Sequence, residues 1–232
     1  MNTSKALVPI SVSTQRFTTR RIRGVLPTIL DRNSSIYFLI ADRLQMYNNA
    51  AKFTEGANLN EIVNWNSFPP QYYQQREKWL RKVCKFCRSK NNYFHFVNMD
   101  DVCDNHAFVI LRNINILYDI NSSFRHDVLN QAYIELNKRK SYADFEMSSR
   151  LSVHYLLEEI AVNVRIRVIE GIENEYYMGD QLMILPKLYA GLYGIKIFDL
   201  AGVANEGKSF NFFYWAEDDD GSGSWQPANA TN

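Results

Sequence analysis

The chain has little of what marks secreted or membrane-spanning proteins. Its 232 residues include three cysteines, an odd number that does not suit a disulfide framework. No window reaches the roughly 18 consecutive apolar residues that a membrane span requires. The amino-terminal sequence MNTSKALVPISV carries too short an apolar run for a signal peptide. We therefore expect an intracellular, cytoplasmic protein whose cysteines are reduced.

The chain also has a small net charge and lacks several common catalytic motifs. The formal net charge is +1, so any basic surface must be local. The sequence contains no G-x-G-x-x-G, no G-x-S-x-G elbow and no H-E-x-x-H pattern. Dinucleotide enzymes, serine hydrolases and zinc proteases are therefore not indicated, and we expect neither a phosphate-binding loop nor a cofactor.

Aromatic residues, in contrast, are abundant, with 14 Tyr and 14 Phe. Aromatic side chains build cores and line pockets that hold bulky substrates. A chain of this length is expected to form one compact core, and we assign residues 1–216 to a single domain. Residues 217–232 are acidic and then rich in Gly, Ser and Asn, which predicts a disordered tail.

Apolar runs alternate with amphipathic segments along the chain. Strands are predicted at Ile36–Ala41, residues 93–99 and residues 108–118, and helices at residues 71–92 and Phe124–Lys140. From Ser148 the apolar residues follow helical spacing as far as Ala161. Beyond it Val162, Val164, Ile166 and Val168 alternate with polar residues, which predicts a strand. Interleaved strands and helices favour an α/β fold with a mainly parallel sheet.

The helix predicted over residues 71–92 is strongly basic on one side. Its other side is apolar, and Glu77 is the single acid among its cations Arg76, Lys78, Arg81, Lys82, Lys85, Arg88 and Lys90. A solvated face is the ordinary interpretation of such a helix, but this one has little compensating acid at i±4. A phosphate backbone is its natural partner, and the basic cluster Arg20, Arg21 and Arg23 adds to it.

The cysteines also form a pattern, Cys84-x2-Cys87 followed by Cys103-x2-His106. This spacing fits a structural zinc site with three sulfurs and one imidazole. However, Cys84 and Cys87 lie within the predicted basic helix, where no turn forms a knuckle. Buried core cysteines are the alternative that we favour, and no metal is assigned.

Tyr155 and Glu159 lie four residues apart on the predicted helix that follows Ser148. Both occupy the side opposite the apolar stripe. They share a face and could contact one substrate. The spacing by itself leaves two interpretations open, a solvated surface pair or the polar end of a pocket.

The order of these features resembles the cyclodipeptide synthases over roughly residues 20 to 195. The resemblance rests on a buried strand with a polar break near residue 42, a central basic helix, the Y-x-x-x-E of YLLEEIA, and Tyr176-Tyr177 before QLMILPKLYAG. It implies a Rossmann-like domain similar to the catalytic domains of class Ic aminoacyl-tRNA synthetases. Such a domain takes two aminoacyl-tRNAs in turn and joins their amino acids into a diketopiperazine.

Carried over by this resemblance, Tyr155 and Glu159 hold the first aminoacyl group's amine, and Glu159 also transfers protons. Tyr177 matches a tyrosine near the reacting centre. The resemblance also implies that the basic helix binds tRNA, through Lys78, Arg81, Lys82, Lys85 and Arg88.

One position departs from the family. The family's nucleophilic serine lies at the end of the first strand, where this chain has Ile40-Ala41-Asp42 and no serine within one residue. Either Asp42 acts in its place, or the chain is a diverged branch with another mechanism, or Ala41 is an engineered substitution. Diverged fungal members make arginine-containing products, for which Glu158, Glu175 and Asp42 are candidate guanidinium partners.

Two other functions remain open on the sequence. One is a non-catalytic RNA-binding module, which the four zinc-type ligands would stabilise. The other is a different α/β enzyme whose basic helix is plain surface.

Overall fold

The computed structural model describes residues 4–11, 19–41, 77–82, 84–85, 92–137, 145–178, 182–204, 209–217 and 223–228. Strands in these ranges are β1 (Lys5–Ser11), β2 (Ser35–Ala41), β3 (Tyr93–Asn98), β4 (Asn174–Tyr177), β5 (Asn211–Glu217) and β6 (Gly223–Pro227). Helices are α1 (Thr19–Arg32), α2 (Met99–Val102), α3 (Asn105–Ile120), α4 (Ser122–Asn137), α5 (Phe145–Glu170), α6 (Ile184–Tyr189) and α7 (Ile197–Ala201). Residues 77–82 and 84–85 are also helical, and we call them the basic helix.

The strands form one sheet in the order β3-β2-β1-β4-β5-β6. Neighbouring strands are parallel, except that β6 runs antiparallel to β5. The predicted α/β class with a mainly parallel, Rossmann-like sheet is confirmed. Successive strands from β1 to β3 extend the sheet in one direction, and successive strands from β4 to β6 extend it in the opposite direction. The order therefore reverses between β1 and β4, and sheets of this kind bind ligands at the carboxyl ends of the strands at such a point.

Helices cover both faces of the sheet because side chains alternate along each strand. Ala6, Val8 and Ile10 of β1 pack on the face that also holds α1 and the basic helix. Leu7 packs on the opposite face with α5. The helices α3 and α4 then pack on the outer side of α5. The helix α5 thus lies between the sheet and a further helical layer.

Strand β1 is an addition to the predicted strands, and it contains Pro9. A proline in the middle of a sheet removes a ladder donor and counts against a central strand. In the described residues the register of β1 with β4 covers Ala6 and Leu7, whereas the register with β2 continues to Ser11. Pro9 therefore lies beyond the positions at which β1 and β4 pair.

The prediction of a strand from Val162 to Val168 is wrong, because α5 continues as a helix to Glu170. Of its 26 residues 16 are buried. Val164 and Val168 pack toward the outer helices, while Val162 and Ile166 pack toward the sheet. A helix that is buried on all sides loses the one-sided 3.6-residue pattern, and its valines and isoleucines then imitate strand alternation.

The prediction of a strand over residues 108–118 is also wrong, since this stretch lies within α3. The buried positions Ala107, Ile110, Ile114 and Leu117 follow helical spacing. Asp104 caps the helix, its side chain accepting a hydrogen bond from the backbone N–H of Ala107. The predicted strands β2 and β3 and the predicted helix α4 are confirmed, with bounds shifted by a few residues.

The prediction of a disordered tail is wrong for residues 223–227, which form β6. Trp225 of β6 pairs with Trp215 of β5, and the two indole rings meet edge to face at 5.3 Å. Trp225 also meets the ring of Tyr176 at 5.0 Å, so the tail adds to the aromatic core of the sheet. In the part of the chain that the structure describes, no helix has the length and apolar content to cross a bilayer.

Arg167 on α5 is fully buried and joins three elements. Its guanidinium donates to a carboxylate oxygen of Glu175 on β4 at 3.2 Å and to the backbone carbonyl of Asn211 on β5 at 3.0 Å. It also lies over the rings of Tyr189 and Phe210, at 4.2 and 4.8 Å. This buried cation holds α5 against the second half of the sheet.

Replacing Arg167 with Met should destabilise the fold by about 3–5 kcal/mol, because Glu175 would remain buried without its counter-charge. The double variant Arg167→Met/Glu175→Gln should recover much of this loss, since removing both charges leaves no unpaired ion. Urea unfolding followed by circular dichroism measures both. Equal stability of the single variant and the wild type would contradict this account of the buried pair.

Candidate functional site

The side of α5 opposite its apolar stripe faces protein and not water. Glu159 is 8 % exposed, and Tyr155 is half-buried between the two apolar clusters on either side of α5. The hydroxyl of Tyr177, the last residue of β4, donates to Oε1 of Glu159 at 3.3 Å. The structure thus brings Glu159 and Tyr177 together and excludes a solvated surface position for Glu159. That the pair forms the polar end of a substrate pocket stays a prediction.

The environment of Glu159 favours its neutral form. The pKa of Glu159 is raised to about 8, chiefly by burial; the hydrogen bond from Tyr177 opposes this rise, and the nearby carboxylates of Glu135 and Glu175 contribute to it. Burial and the adjacent Glu159 raise the pKa of Tyr177 well above its ordinary value. Burial therefore favours a protonated carboxyl group on Glu159 at neutral pH, able both to donate a proton and to accept one back.

Glu175 extends the polar cluster along β4. It lies two residues before Tyr177, on the same face of the strand, and its Oε2 accepts from Arg167 and, at 3.0 Å, from the Tyr189 hydroxyl. Burial raises the pKa of Glu175, and the guanidinium of Arg167 opposes the rise. Its Oε1 is buried and finds no hydrogen-bond partner in the described residues. Glu175 thus binds a guanidinium of the chain itself, and its predicted role toward a substrate stays a prediction.

The cluster lies at the carboxyl end of the sheet, beside the point where strand order reverses. Tyr177 ends β4, and on the neighbouring strand the last residue of β1 is Ser11, which is in register with Ala41 at the end of β2. The first strand along the chain is therefore β1 and not the strand that ends at Ala41. Sequence reasoning missed this serine because it passed over β1. The short run ALVPI between polar residues was the available signal.

Two predicted site residues, Asp42 and Arg88, lie outside the described residues, as does Cys87. The remaining predicted tRNA-binding residues are on the basic helix, where Lys78, Arg81, Lys82 and Lys85 are all exposed. Leu80 and Cys84 point the other way and are buried in the core against the sheet. The predicted division of this helix into one apolar and one cationic face is confirmed for its described part.

The zinc pattern is not assembled by the fold. Cys84 is buried on the face of the sheet that holds α1, whereas Cys103 packs at the opposite face with α5. The sheet separates their sulfurs, so they cannot ligate one ion. His106 instead lies 3.8 Å from Asp104. Among the described residues no group of three or more Cys, His, Asp or Glu is arranged to hold a metal.

The sequence analysis predicts no phosphate-binding loop. Residues 202–209 nevertheless read GVANEGKS, which matches the pattern G-x-x-x-x-G-K-[ST] of such loops. A phosphate-binding loop of this pattern follows a strand and opens a helix. Here the helix α7 precedes the segment and the strand β5 follows it, which is the reverse order. The match therefore lacks the context that the chemistry needs.

No protein-family model and no curated protein matches this chain. Several solved structures do match it. A cyclodipeptide synthase from Fluoribacter dumoffii superposes with a TM-score of 0.69 at 19% identity, covering 91% of this chain and 89% of that one. One from Candidatus Glomeribacter gigasporarum, bound to Phe-tRNAPhe, gives a TM-score of 0.58 at 18% identity, with 82% and 83% covered.

A Mycobacterium tuberculosis protein whose structure relates cyclodipeptide synthetases to type I tRNA synthetases gives a TM-score of 0.59 at 12% identity, covering 80% of this chain and 78% of that one. The chain therefore has the fold of the cyclodipeptide synthases, and the predicted resemblance is confirmed at the level of fold.

The raised pKa of Glu159 predicts that the free energy of unfolding depends on pH. The folded protein keeps the proton of Glu159 up to about pH 8, whereas the unfolded chain releases it near the ordinary glutamate pKa of about 4.3. Between these values the folded state binds more protons. The free energy of unfolding should therefore fall as pH rises, by at most about 1.4 kcal/mol per pH unit from this group.

Glu159→Gln removes this titration, so the variant should gain stability relative to the wild type as pH rises from 5 to 8. Urea unfolding of both proteins at each pH measures the difference. A difference independent of pH would show that Glu159 is not buried in its neutral form.

Proposed function

We propose that this chain is a tRNA-dependent cyclodipeptide synthase, which joins aminoacyl groups from two charged tRNAs into a diketopiperazine. The observation that carries the proposal is the buried pair of Glu159 and Tyr177 at the carboxyl end of the sheet. It lies where strand order reverses, in a fold that a tRNA-bound synthase shares. Such a pair suits an ammonium and a proton transfer.

The reaction requires no energy source beyond the aminoacyl ester. A nucleophile on the enzyme attacks the ester carbon of the first aminoacyl-tRNA, an enzyme ester forms, and the tRNA leaves with its ribose hydroxyl protonated. The amine of the bound residue then attacks the second aminoacyl-tRNA, which makes the peptide bond and releases the second tRNA. Finally the new terminal amine attacks the enzyme ester, closing the ring and freeing the nucleophile.

Glu159 is the residue that we assign to the amine. An incoming ammonium group stabilises the ionised form of Glu159. It therefore lowers the pKa of this carboxyl group and offsets the rise that burial causes. An amine must lose its proton before it attacks an ester. A carboxylate in hydrogen-bonding contact can take that proton and pass it to the departing hydroxyl.

The two phenols position this carboxyl group. Tyr177 donates to Glu159 and so fixes which carboxylate oxygen remains for the amine. Tyr155 lies one helical turn before Glu159 on the same face, and its ring is half-buried beside it. We assign Tyr155 to the ammonium and Tyr177 to the reacting centre.

Ser11 and Asp42 are the two candidates for the nucleophile. The family resemblance implies a serine at the end of the first strand, and the first strand ends at Ser11. Asp42 follows β2, and its carboxylate would form a mixed anhydride, which is more reactive than an ester. We therefore favour Ser11.

A host that expresses the chain should release a diketopiperazine, which mass spectrometry of the medium detects whichever amino acids are joined. Glu159→Gln should lower the yield by about a hundredfold or more, the usual size of a general acid–base contribution. Glu146→Gln, which changes an exposed carboxyl group at the start of α5, is the matched control and should leave the yield unchanged.

The nucleophile can be assigned in the same assay. Ser11→Ala should abolish the product and Asp42→Asn should not, and the reverse result would transfer the role to Asp42. If the purified wild-type chain gives no diketopiperazine from any charged tRNA yet still binds tRNA, the chain is an RNA-binding module and the synthase proposal fails.

The basic helix should contact the phosphates of tRNA, which makes the affinity for tRNA depend on the salt concentration. Removing one phosphate contact lowers the slope of log affinity against log salt by about 0.7 to 0.9. Lys82→Ala and Lys85→Ala should each show such a change with uncharged tRNA in a filter-binding titration. Lys196→Ala, which removes an exposed lysine beside α7 on the other side of the sheet, should not. Identical slopes for all four proteins would exclude the basic helix as the tRNA surface.

A further inference from the structure

A groove runs between the basic helix and β3, the strand at the edge of the sheet. It is lined by Arg81, Cys84, Lys85, Tyr93, Phe94 and Phe96 and has a volume of about 290 Å³. At about 30 Å³ per liquid water, this is room for about ten water molecules. The groove is therefore large enough to admit a planar aromatic group.

Aromatic rings remain uncovered in this groove. Phe94 and Phe96 pack against Phe38 at centroid distances of 6.1 and 5.5 Å, yet both stay half-buried. Tyr93, at the start of β3, is 66% exposed. Since isolated exposed aromatics are ordinary, the significant feature is that three aromatic residues of one strand line the same groove.

Cations form the rim of the same groove. The guanidinium of Arg81 lies 4.3 Å from the centre of the Phe96 ring and also pairs with Glu77. Lys85 is exposed one helical turn further on, and Lys78 and Lys82 continue the positive face. Glu77 is the single acid among these described residues, so the surface is complementary to an anion.

A covered sheet edge would be the simplest structural explanation. A helix that only shields an edge strand needs apolar contacts, and Leu80 and Cys84 already provide them. Shielding does not require a row of half-exposed rings below a cationic rim. That combination is the one by which proteins bind unpaired nucleotides, with cations on the phosphates and rings stacked on the bases.

We propose that this groove stacks an unpaired base of the bound tRNA, with Tyr93 as the outer platform and Lys85 at the phosphate. The proposal rests on the tRNA-dependent function above and adds a second kind of contact to it. Phosphate contacts carry the salt dependence of binding, whereas stacking contributes affinity that is nearly independent of salt.

Salt titration separates the two contributions. Tyr93→Ala should weaken binding of tRNA about tenfold at every salt concentration and leave the salt slope unchanged. Tyr93→Trp should restore the affinity, because an indole also stacks. Tyr133→Ala, which removes a tyrosine of similar exposure on α4, is the matched control and should bind as the wild type does.

A short single-stranded RNA carrying 2-aminopurine is the direct probe, since stacking quenches its fluorescence. The wild type and Tyr93→Trp should quench it and Tyr93→Ala should not. Unchanged affinity and unchanged quenching in Tyr93→Ala would overturn the stacking site. That result leaves the synthase function intact as long as the wild type makes product, whereas loss of product from the wild type would refute the function itself.

Discussion

The complete burial of residues 159–168 of α5 is the constraint on which the rest of the structure depends. This part of the helix lies between the sheet and a second helical layer, so its polar side chains are removed from water. Polar groups in such a place must be paired or neutral. Arg167 is paired by Glu175 and three backbone carbonyls, and Glu159 is held mainly in its neutral form. Fold stability and site chemistry thus arise from the same burial.

The molecule separates charge by location. Carboxylates and phenols converge in the interior, where Glu159 and Glu175 lie on facing elements within reach of each other's charge. The cations of the basic helix lie on the surface at the other face of the sheet. An aminoacyl-tRNA has the complementary distribution, a polyanionic body with a single ammonium at its end. A net charge of +1 does not reveal this local positive surface, because it is a sum over the whole chain.

The pairing of β1 with β4 stops before the carboxyl ends of the two strands in the described residues. Their pairing covers Ala6 and Leu7 at the amino-terminal side, and the polar side chain of Tyr177 lies where the two strands no longer pair. Pro9 is compatible with β1 for the same reason, since it lies beyond the paired positions. Because β1 and β4 are parallel neighbours, their last residues, Ser11 and Tyr177, lie at the same edge of the sheet, although they are 166 positions apart in the sequence.

The sequence by itself determined the α/β class, the buried strand β2, the two faces of the basic helix and the pairing of Tyr155 with Glu159 on one helix. These depend on local periodicity, which reports burial on one side of a segment. Only the tertiary structure decided that Val162–Val168 is helical, that Cys84 and Cys103 lie on opposite faces, and that Glu159 faces Tyr177 and not water. A segment buried on all sides has no one-sided pattern, and the partners of its polar residues come from distant parts of the chain. Contacts of that kind exist only once the sheet and both helical layers have assembled.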